Sequence, residues 1–199
     1  MELLHFAAVR LIHATLLLLL GCLAVTASMP AAAQNYYDVE IVVFELLGSN
    51  ASPDTPPSAA TAELLPAPAT AAAPEQKSDS RFEPLPPDRL QLNTEFQRLR
   101  NSKAYRPLLH LGWRQQVLGP RMSVARSIME QTPSGSFSGS LKVYTETFLH
   151  ISLDLTFDVP GEGGYRLRDN KRVRSRETHF FDHPRFGVLL RITPSPPPS

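Results

Sequence analysis

From Leu141 to Val159 the chain alternates without a break. The odd positions run Leu, Val, Thr, Thr, Leu, Ile, Leu, Leu, Phe, Val, and the even ones Lys, Tyr, Glu, Phe, His, Ser, Asp, Thr, Asp. Successive side chains of an extended strand point to opposite faces, so a period of two sustained this long predicts one long half-buried strand, apolar on one side and wet on the other. Such a segment must bury its odd face against a second apolar layer and find partners for its backbone. Pro160-Gly161-Glu162-Gly163-Gly164 reads as a five-residue turn. It sets Val159 opposite Tyr165, Phe157 opposite Leu167, Asp158 opposite Arg166 and Thr156 opposite Arg168, apolar with apolar and acid with base. Taking Asp169-Asn170-Lys171 as the next turn pairs Leu167 with Val173, but it also sets Arg168 against Arg172 and Arg166 against Arg174.

Other segments extend the sheet. Tyr36 to Leu47, YYDVEIVVFELL, is rich in β-branched and aromatic residues and predicts a central strand. Leu108 to Leu118 predicts another, with Leu109, Leu111 and Trp113 on one side and His110 and Arg114 on the other. Between them Leu92, Phe96 and Leu99 recur at helical spacing and predict a helix ending near Ser102. Met122 to Ser138 shows no period and holds a loop at Thr132 to Gly135. In Glu177 to Val188, ETHFFDHPRFGV, Pro184 presets φ for a turn and Gly187 suits a left-handed position, which predicts a hairpin. Its register sets His183 beside Val188, Phe181 beside Leu190 and His179 beside Ile192, with Asp182 on the other face. The expected fold is α+β: a mainly antiparallel sheet from the segments after Tyr36, Pro107, Gly139, Gly164, Lys171 and Phe186, with the helix packed on its apolar face.

Composition sets the boundaries. Residues 1–33 read as a cleavable export signal, because the apolar run Leu11 to Val25 precedes Ala31-Ala32-Ala33. Leu19-Leu20-Gly21-Cys22 offers the alternative of a lipoprotein anchored at Cys22. Cys22 is the only cysteine, so a chain cut after Ala33 holds neither disulfide nor thiolate chemistry, which suits a periplasmic protein built without staples. Residues 48–87 are dominated by Ala, Pro, Ser and Thr and predict a flexible insertion in a single domain spanning 34–193, with 194–199 as a disordered tail.

The residue types that carry chemistry are present, but their spacing argues against most of it. His179 and His183 suggest a metal site with His110 and His150. On an extended strand two residues four apart stand about 13 Å from each other, too far to share an ion with Zn–N bonds of about 2 Å. No metal or cofactor is expected, and half-buried structural histidines are. GSFSG at Gly135 to Gly139 has Phe137 where a nucleophile elbow needs serine. Glu146, Asp154, Asp158, Glu177 and Asp182 are carboxylates a glycan hydrolase would need, yet Asp154 and Asp158 sit on the wet parity of a strand. No catalytic residue is assigned. Arg166, Arg168, Arg172, Arg174 and Arg176 share one side of the predicted meander, where facing like charges destabilise a sheet. Solvent and nearby acids relieve this, or an anionic ligand held by guanidinium forks does. For an exported protein the candidate ligands are stem-peptide carboxylates, lipid phosphates and acidic proteins, not nucleic acid.

Together YDVEIVVFE, YRPLLHLGWRQ, GSLKVY, FLHISLDLTF and above all VRSRETHFFDHPRFGVLLRITP resemble the CsiV family of periplasmic peptidoglycan-binding proteins. The resemblance implies a non-enzymatic peptidoglycan binder that supports wall synthesis through a lipoprotein activator of a class A penicillin-binding protein. An envelope protein-interaction module without glycan binding and a wall-cleaving hydrolase are the alternatives. The family supplies no ligand residues, so the five arginines rest on charge alone, and His179, Asp182, His183, Pro184 and Gly187 are assigned to the hairpin.

Overall fold

The computed structural model describes residues 35–55 and 79–197. The predicted export signal, Cys22 and residues 56–78 of the predicted insertion lie outside the described residues. Among the described residues nine strands and one α-helix follow in order: β1 (Tyr36–Leu46), β2 (Glu83–Pro84), α1 (Asn93–Arg100), β3 (Tyr105–Gln116), β4 (Ala125–Thr132), β5 (Gly135–Thr145), β6 (Leu149–Val159), β7 (Gly163–Val173), β8 (Thr178–Asp182) and β9 (Phe186–Ser195). They form two sheets, ordered β2-β3-β1-β9-β8 and β4-β5-β6-β7, with every pair antiparallel. The expectation of a mainly antiparallel fold holds; the single sheet is two.

The long alternating segment is a hairpin rather than one strand. β5 and β6 pair Leu141 with Leu153, Val143 with Ile151 and Thr145 with Leu149 around Glu146, Thr147 and Phe148. A three-residue loop between paired odd positions leaves parity unchanged, so the alternation continues through the turn. The next turn is also three residues rather than five: Val159 pairs with Gly163, Phe157 with Tyr165 and Thr156 with Arg166. The predicted register is out by two, and because two is the period every side chain keeps its face. No turn falls at Asp169 to Lys171. β7 runs on to Val173, with Ser152 opposite Asn170 and His150 opposite Arg172, so the arginine–arginine pairs do not exist. The last hairpin is shifted by the same amount, with Phe181 opposite Val188 and His179 opposite Leu190.

The apolar faces of the two sheets meet in one core. Phe137 of β5 stacks on Phe157 of β6 at 4.4 Å between centroids, and Phe186 of β9 meets Phe137 edge-on at 5.4 Å, joining the sheets. Trp113, Leu153, Leu155, Val188, Leu190 and Ile192 are fully buried around them. Gly139 sits mid-strand with φ +147°, and a Cβ there would run into the Asp154 carbonyl oxygen and the Leu155 Cα. Gly139→Ala is therefore expected to destabilise by about 2–4 kcal/mol, from backbone strain added to overpacking. Urea unfolding of the variant checks this.

α1 does not lie on the apolar face as expected. It covers the outer side of the five-stranded sheet and buries none of its own residues. Leu90 crosses directly over Gly112, and the Phe96 ring stacks on His110 at 4.9 Å. The Glu40 carboxylate accepts from the N–H groups of Gln91 and Leu92 at 2.7 and 2.8 Å and from His110 Nε2 at 2.6 Å. This explains why β1 is buried on both faces although it carries acids: Val39, Ile41 and Val43 meet the core, while Asp38 and Glu40 lie under the helical segment and Phe44 lies between Tyr105 and Phe180. Asp38 is paired in turn with Arg114 Nε at 2.9 Å and an Arg89 terminal nitrogen at 2.7 Å.

The ends of the predicted flexible insertion are ordered parts of the fold. Asp54 and Thr55 bond to Gly164 through their backbones, Phe82 is buried, and Glu83–Pro84 pairs with β3. The predicted tail begins inside β9, where Pro194 pairs with Tyr37 and Ser195 with Tyr36. β8 no longer flanks β9 at that point, so the missing proline N–H costs no ladder bond.

Candidate functional site: the open face of the four-stranded sheet

The even positions of β5, β6 and β7 point away from the core, and among the described residues no helix or strand packs over them. Cross-strand pairing arranges this face in rungs. Tyr144, His150 and Arg172 form one; Lys142, Ser152 and Asn170 the next; then Ser140, Asp154 and Arg168; then Ser138, Thr156 and Arg166.

One end of the face is an aromatic shelf. The Tyr144 and His150 rings lie 5.1 Å apart and nearly parallel, and the Asn170 amide donates to the Tyr144 hydroxyl at 3.1 Å. Beside them the Arg172 guanidinium stacks 3.2 Å above the ring centre of Phe148, which is 44% exposed at the hairpin turn. The other end is ionic. Arg166 grips Asp154 with two bonds of 2.8 and 2.7 Å, and Arg168 stands 3.9 Å from the same carboxylate with its side chain 78% exposed. Ser138 and Ser140 on β5, with Ser152 and Thr156 on β6, give the same face a row of hydroxyls, each able to donate and accept.

The five predicted arginines are thus divided. Arg166, Arg168 and Arg172 share the open face. Arg174 and Arg176 lie in the turn beyond β7, Arg174 3.7 Å from Glu177, and Arg176 in a left-handed conformation with φ 66°. Arg166 is neutralised by Asp154, which leaves Arg168 and Arg172 as the cations best placed for a ligand. Charge reasoning missed Tyr144, Phe148 and His150, although all three stood on the wet parity of the alternating segment.

The Asp154 carboxyl titrates below its ordinary value, chiefly through the Arg166 hydrogen bonds, with attraction to Arg166 and Arg168 adding to them against partial burial. A depressed carboxylate stabilises the fold above its unfolded pKa and loses that contribution as pH falls through the folded value. Asp154→Asn is expected to flatten the acid limb of stability below about pH 4, by well under 1 kcal/mol because the pair is exposed. Urea midpoints from pH 2 to 6 check this. The same group is unsuited to donate a proton near neutrality, and Asp158 stands about 13 Å along the strand, beyond the usual separation of hydrolase carboxylates.

The hairpin residues hold the fold together at one end. His183, packed at 5.0 Å against Phe186, lies 3.4 Å from Asp54 and accepts the Arg185 N–H at Nδ1. The His179 ring bonds the Arg174 backbone at 2.9 Å. Gly187 lets Phe44 and Phe180 close over it, and Asp182 pairs with it across the strand. Arg185, not singled out by the sequence, pairs with buried Glu45 at 3.1 Å and with Glu162 at 3.2 Å. Elsewhere a cleft of about 250 Å³ is lined by Tyr36, Arg81, Phe82, Glu83, Gln116 and Met122. Both arginines on its wall, Arg81 and Arg114, are already taken, since Arg81 grips Asp79 and Arg114 pairs with Asp38.

The open face of this antiparallel sandwich combines hydroxyls, aromatic rings and arginines, side chains whose chemistry suits a polar, anionic, extended ligand. The chain belongs to the CsiV family, described as peptidoglycan-binding proteins, whose family model matches residues 12–195. No curated protein and no solved structure matches it.

Proposed function

We propose that the protein is a non-catalytic periplasmic peptidoglycan-binding protein, exported by its N-terminal signal, that uses the open face of the four-stranded sheet. The observation that carries this reading is the placing of the aromatic shelf beside two exposed arginines on one uncovered face. Peptidoglycan offers matching chemistry. Sugar rings present flat C–H faces that pack on aromatic rings, their hydroxyls match the serine row, and lactyl and stem-peptide carboxylates suit guanidinium forks. No bond is made or broken. Purified protein should pellet with isolated sacculi at low salt; protein left wholly in the supernatant would sink the proposal.

The role in wall synthesis, through a lipoprotein activator of a class A penicillin-binding protein, rests on family likeness and on a second surface. Phe44 is flanked by Tyr105 at 5.3 Å and Phe180 at 6.2 Å, and the two flanking rings are 40% and 48% exposed. Exposed aromatic clusters of this kind serve as anchors for a protein partner. Tyr105→Ala with Phe180→Ala should abolish capture of the activator while leaving sacculus binding intact. Loss of both together would argue against separate surfaces.

A further inference from the structure

Arg166, Arg168 and Arg172 are held in different ways, and the difference decides which of them can read a ligand. Arg166 is fixed by a carboxylate, its Nε and a terminal nitrogen donating to Asp154 at 2.8 and 2.7 Å. Those donors are spent. Arg168 stands 3.9 Å from the same carboxylate, so an anion that approaches it meets Asp154 as well. Arg172 is exposed and is fixed by a ring, its guanidinium lying 3.2 Å above the centre of Phe148. Stacking engages the flat face of a guanidinium and leaves the N–H fork around its edge for a ligand.

The backbone puts the ring in place. Thr145 pairs with Leu149 across the three-residue turn, the Glu146 N–H donates to the Phe148 carbonyl at 3.0 Å, and the Thr145 N–H donates to the Leu118 carbonyl at 2.8 Å. The turn is thus tied both to itself and to the segment before β4. Phe148 carries the even parity of β6 into the turn, and His150 pairs with Arg172. Phe148 therefore stands one diagonal step from Arg172 on the same face, a separation that aromatic and long side chains span. An unrestrained arginine gives up much of its rotamer freedom on closing round a ligand. The stack on Phe148 settles that loss before any ligand arrives.

We infer that Arg172, positioned by Phe148, is the specificity-determining residue of this face, and that it selects stem peptides with a free carboxylate over the same peptides carrying a carboxamide. The inference deepens the peptidoglycan-binding reading and rests on it. A carboxylate offers the fork two coplanar acceptor oxygens. A carboxamide offers one acceptor and turns an NH2 donor toward the donors of the guanidinium. Sugar hydroxyls supply no such pair of charged acceptors, so glycan contacts elsewhere on the face add affinity without reading the peptide. Phe148 acts through Arg172, as a positioning residue. The plain alternative is that Arg172 only shields a half-exposed ring at a turn, and the two roles differ in what loss of the ring does to selectivity.

Isothermal titration of the purified protein with two soluble muropeptides, one with free stem-peptide carboxylates and one with them converted to carboxamides, measures the selectivity. The unsubstituted protein should bind the free acid at least about tenfold more tightly, the effect of one charge-assisted contact. Phe148→Ala should weaken free-acid binding by about two- to fivefold, the loss of an exposed cation–π contact, and hardly change carboxamide binding. Phe148→Tyr should restore the selectivity, because any phenyl face can hold the guanidinium. Arg172→Lys keeps the charge without the fork and should lose most of the preference. Inorganic phosphate should displace the free-acid muropeptide no better than chloride at equal ionic strength. Selectivity is a ratio of two affinities of one protein, so partial unfolding of a variant lowers both alike and leaves the ratio readable. Equal affinity of the unsubstituted protein for both muropeptides, unchanged selectivity in Phe148→Ala, an Arg172→Lys variant that behaves as the unsubstituted protein, or preferential displacement by phosphate would each overturn the inference. Equal binding of both muropeptides leaves the peptidoglycan-binding reading standing, whereas binding of neither removes both.

Discussion

Phe137→Ala is expected to lower the free energy of unfolding by about 3–5 kcal/mol, the largest effect of any single core truncation in this sandwich. Phe137 is 1% exposed and touches both layers, stacked on Phe157 within its own sheet and edge-on to Phe186 across the interface. Truncation loses the transfer free energy of the ring and leaves a cavity that two antiparallel sheets cannot close without moving against each other. Met122→Ala, at a residue 70% exposed, should stay within about 0.5 kcal/mol. Urea unfolding followed by the fluorescence of Trp113 measures both. Equal midpoints for the two variants would show that the sheets do not meet at Phe137.

Arg168→Ser with Arg172→Ser is expected to weaken sacculus binding by about 30-fold, the sum of two charge-assisted contacts discounted for exposure. Arg174→Ser with Arg176→Ser should change it by less than about twofold, because those side chains lie in the turn beyond the face. The loss should shrink as salt rises, since exposed charges are screened within about 8 Å at physiological ionic strength. The Arg168/Arg172 variant should also keep its unfolding midpoint, which separates loss of ligand contact from loss of fold. If both pairs weaken binding equally, the ligand is reading net charge and not the sheet face.

Much of the fold was legible because a strand period is insensitive to shifts of two. The β6–β7 turn and the β8–β9 hairpin were misplaced by two residues, yet the residues assigned to the core face of these strands are the ones found there. The same insensitivity hid the β5–β6 turn. Glu146-Thr147-Phe148 contains no glycine, proline, asparagine or aspartate to mark it, and its odd length preserved the pattern. β4 escaped notice for a different reason. Among its residues only Ile128 is fully buried, so an edge strand capped by Arg126 shows almost no alternation. The outer position of α1 was illegible because it depends on buried Glu40, whose charge argues for a wet face until the N–H groups of Gln91 and Leu92 are brought to it.

The site was half legible. The arginines stood out by charge, but the false turn at Asp169 to Lys171 placed all five on one side. The continuous β7 keeps three there and moves two past the strand end. The aromatic shelf needs Tyr144 and His150 side by side, a neighbour relation created only by the hidden turn.

We propose that peptidoglycan binds on the open face of the four-stranded sheet. Titrating isotopically labelled protein with soluble muropeptides and following its backbone amides by NMR tests this most directly. Shift changes are expected to concentrate at Tyr144, His150, Ser152, Arg168 and Arg172. Changes concentrated instead at Tyr105 and Phe180, or around Arg81 and Met122, with the β6–β7 face silent, would contradict it.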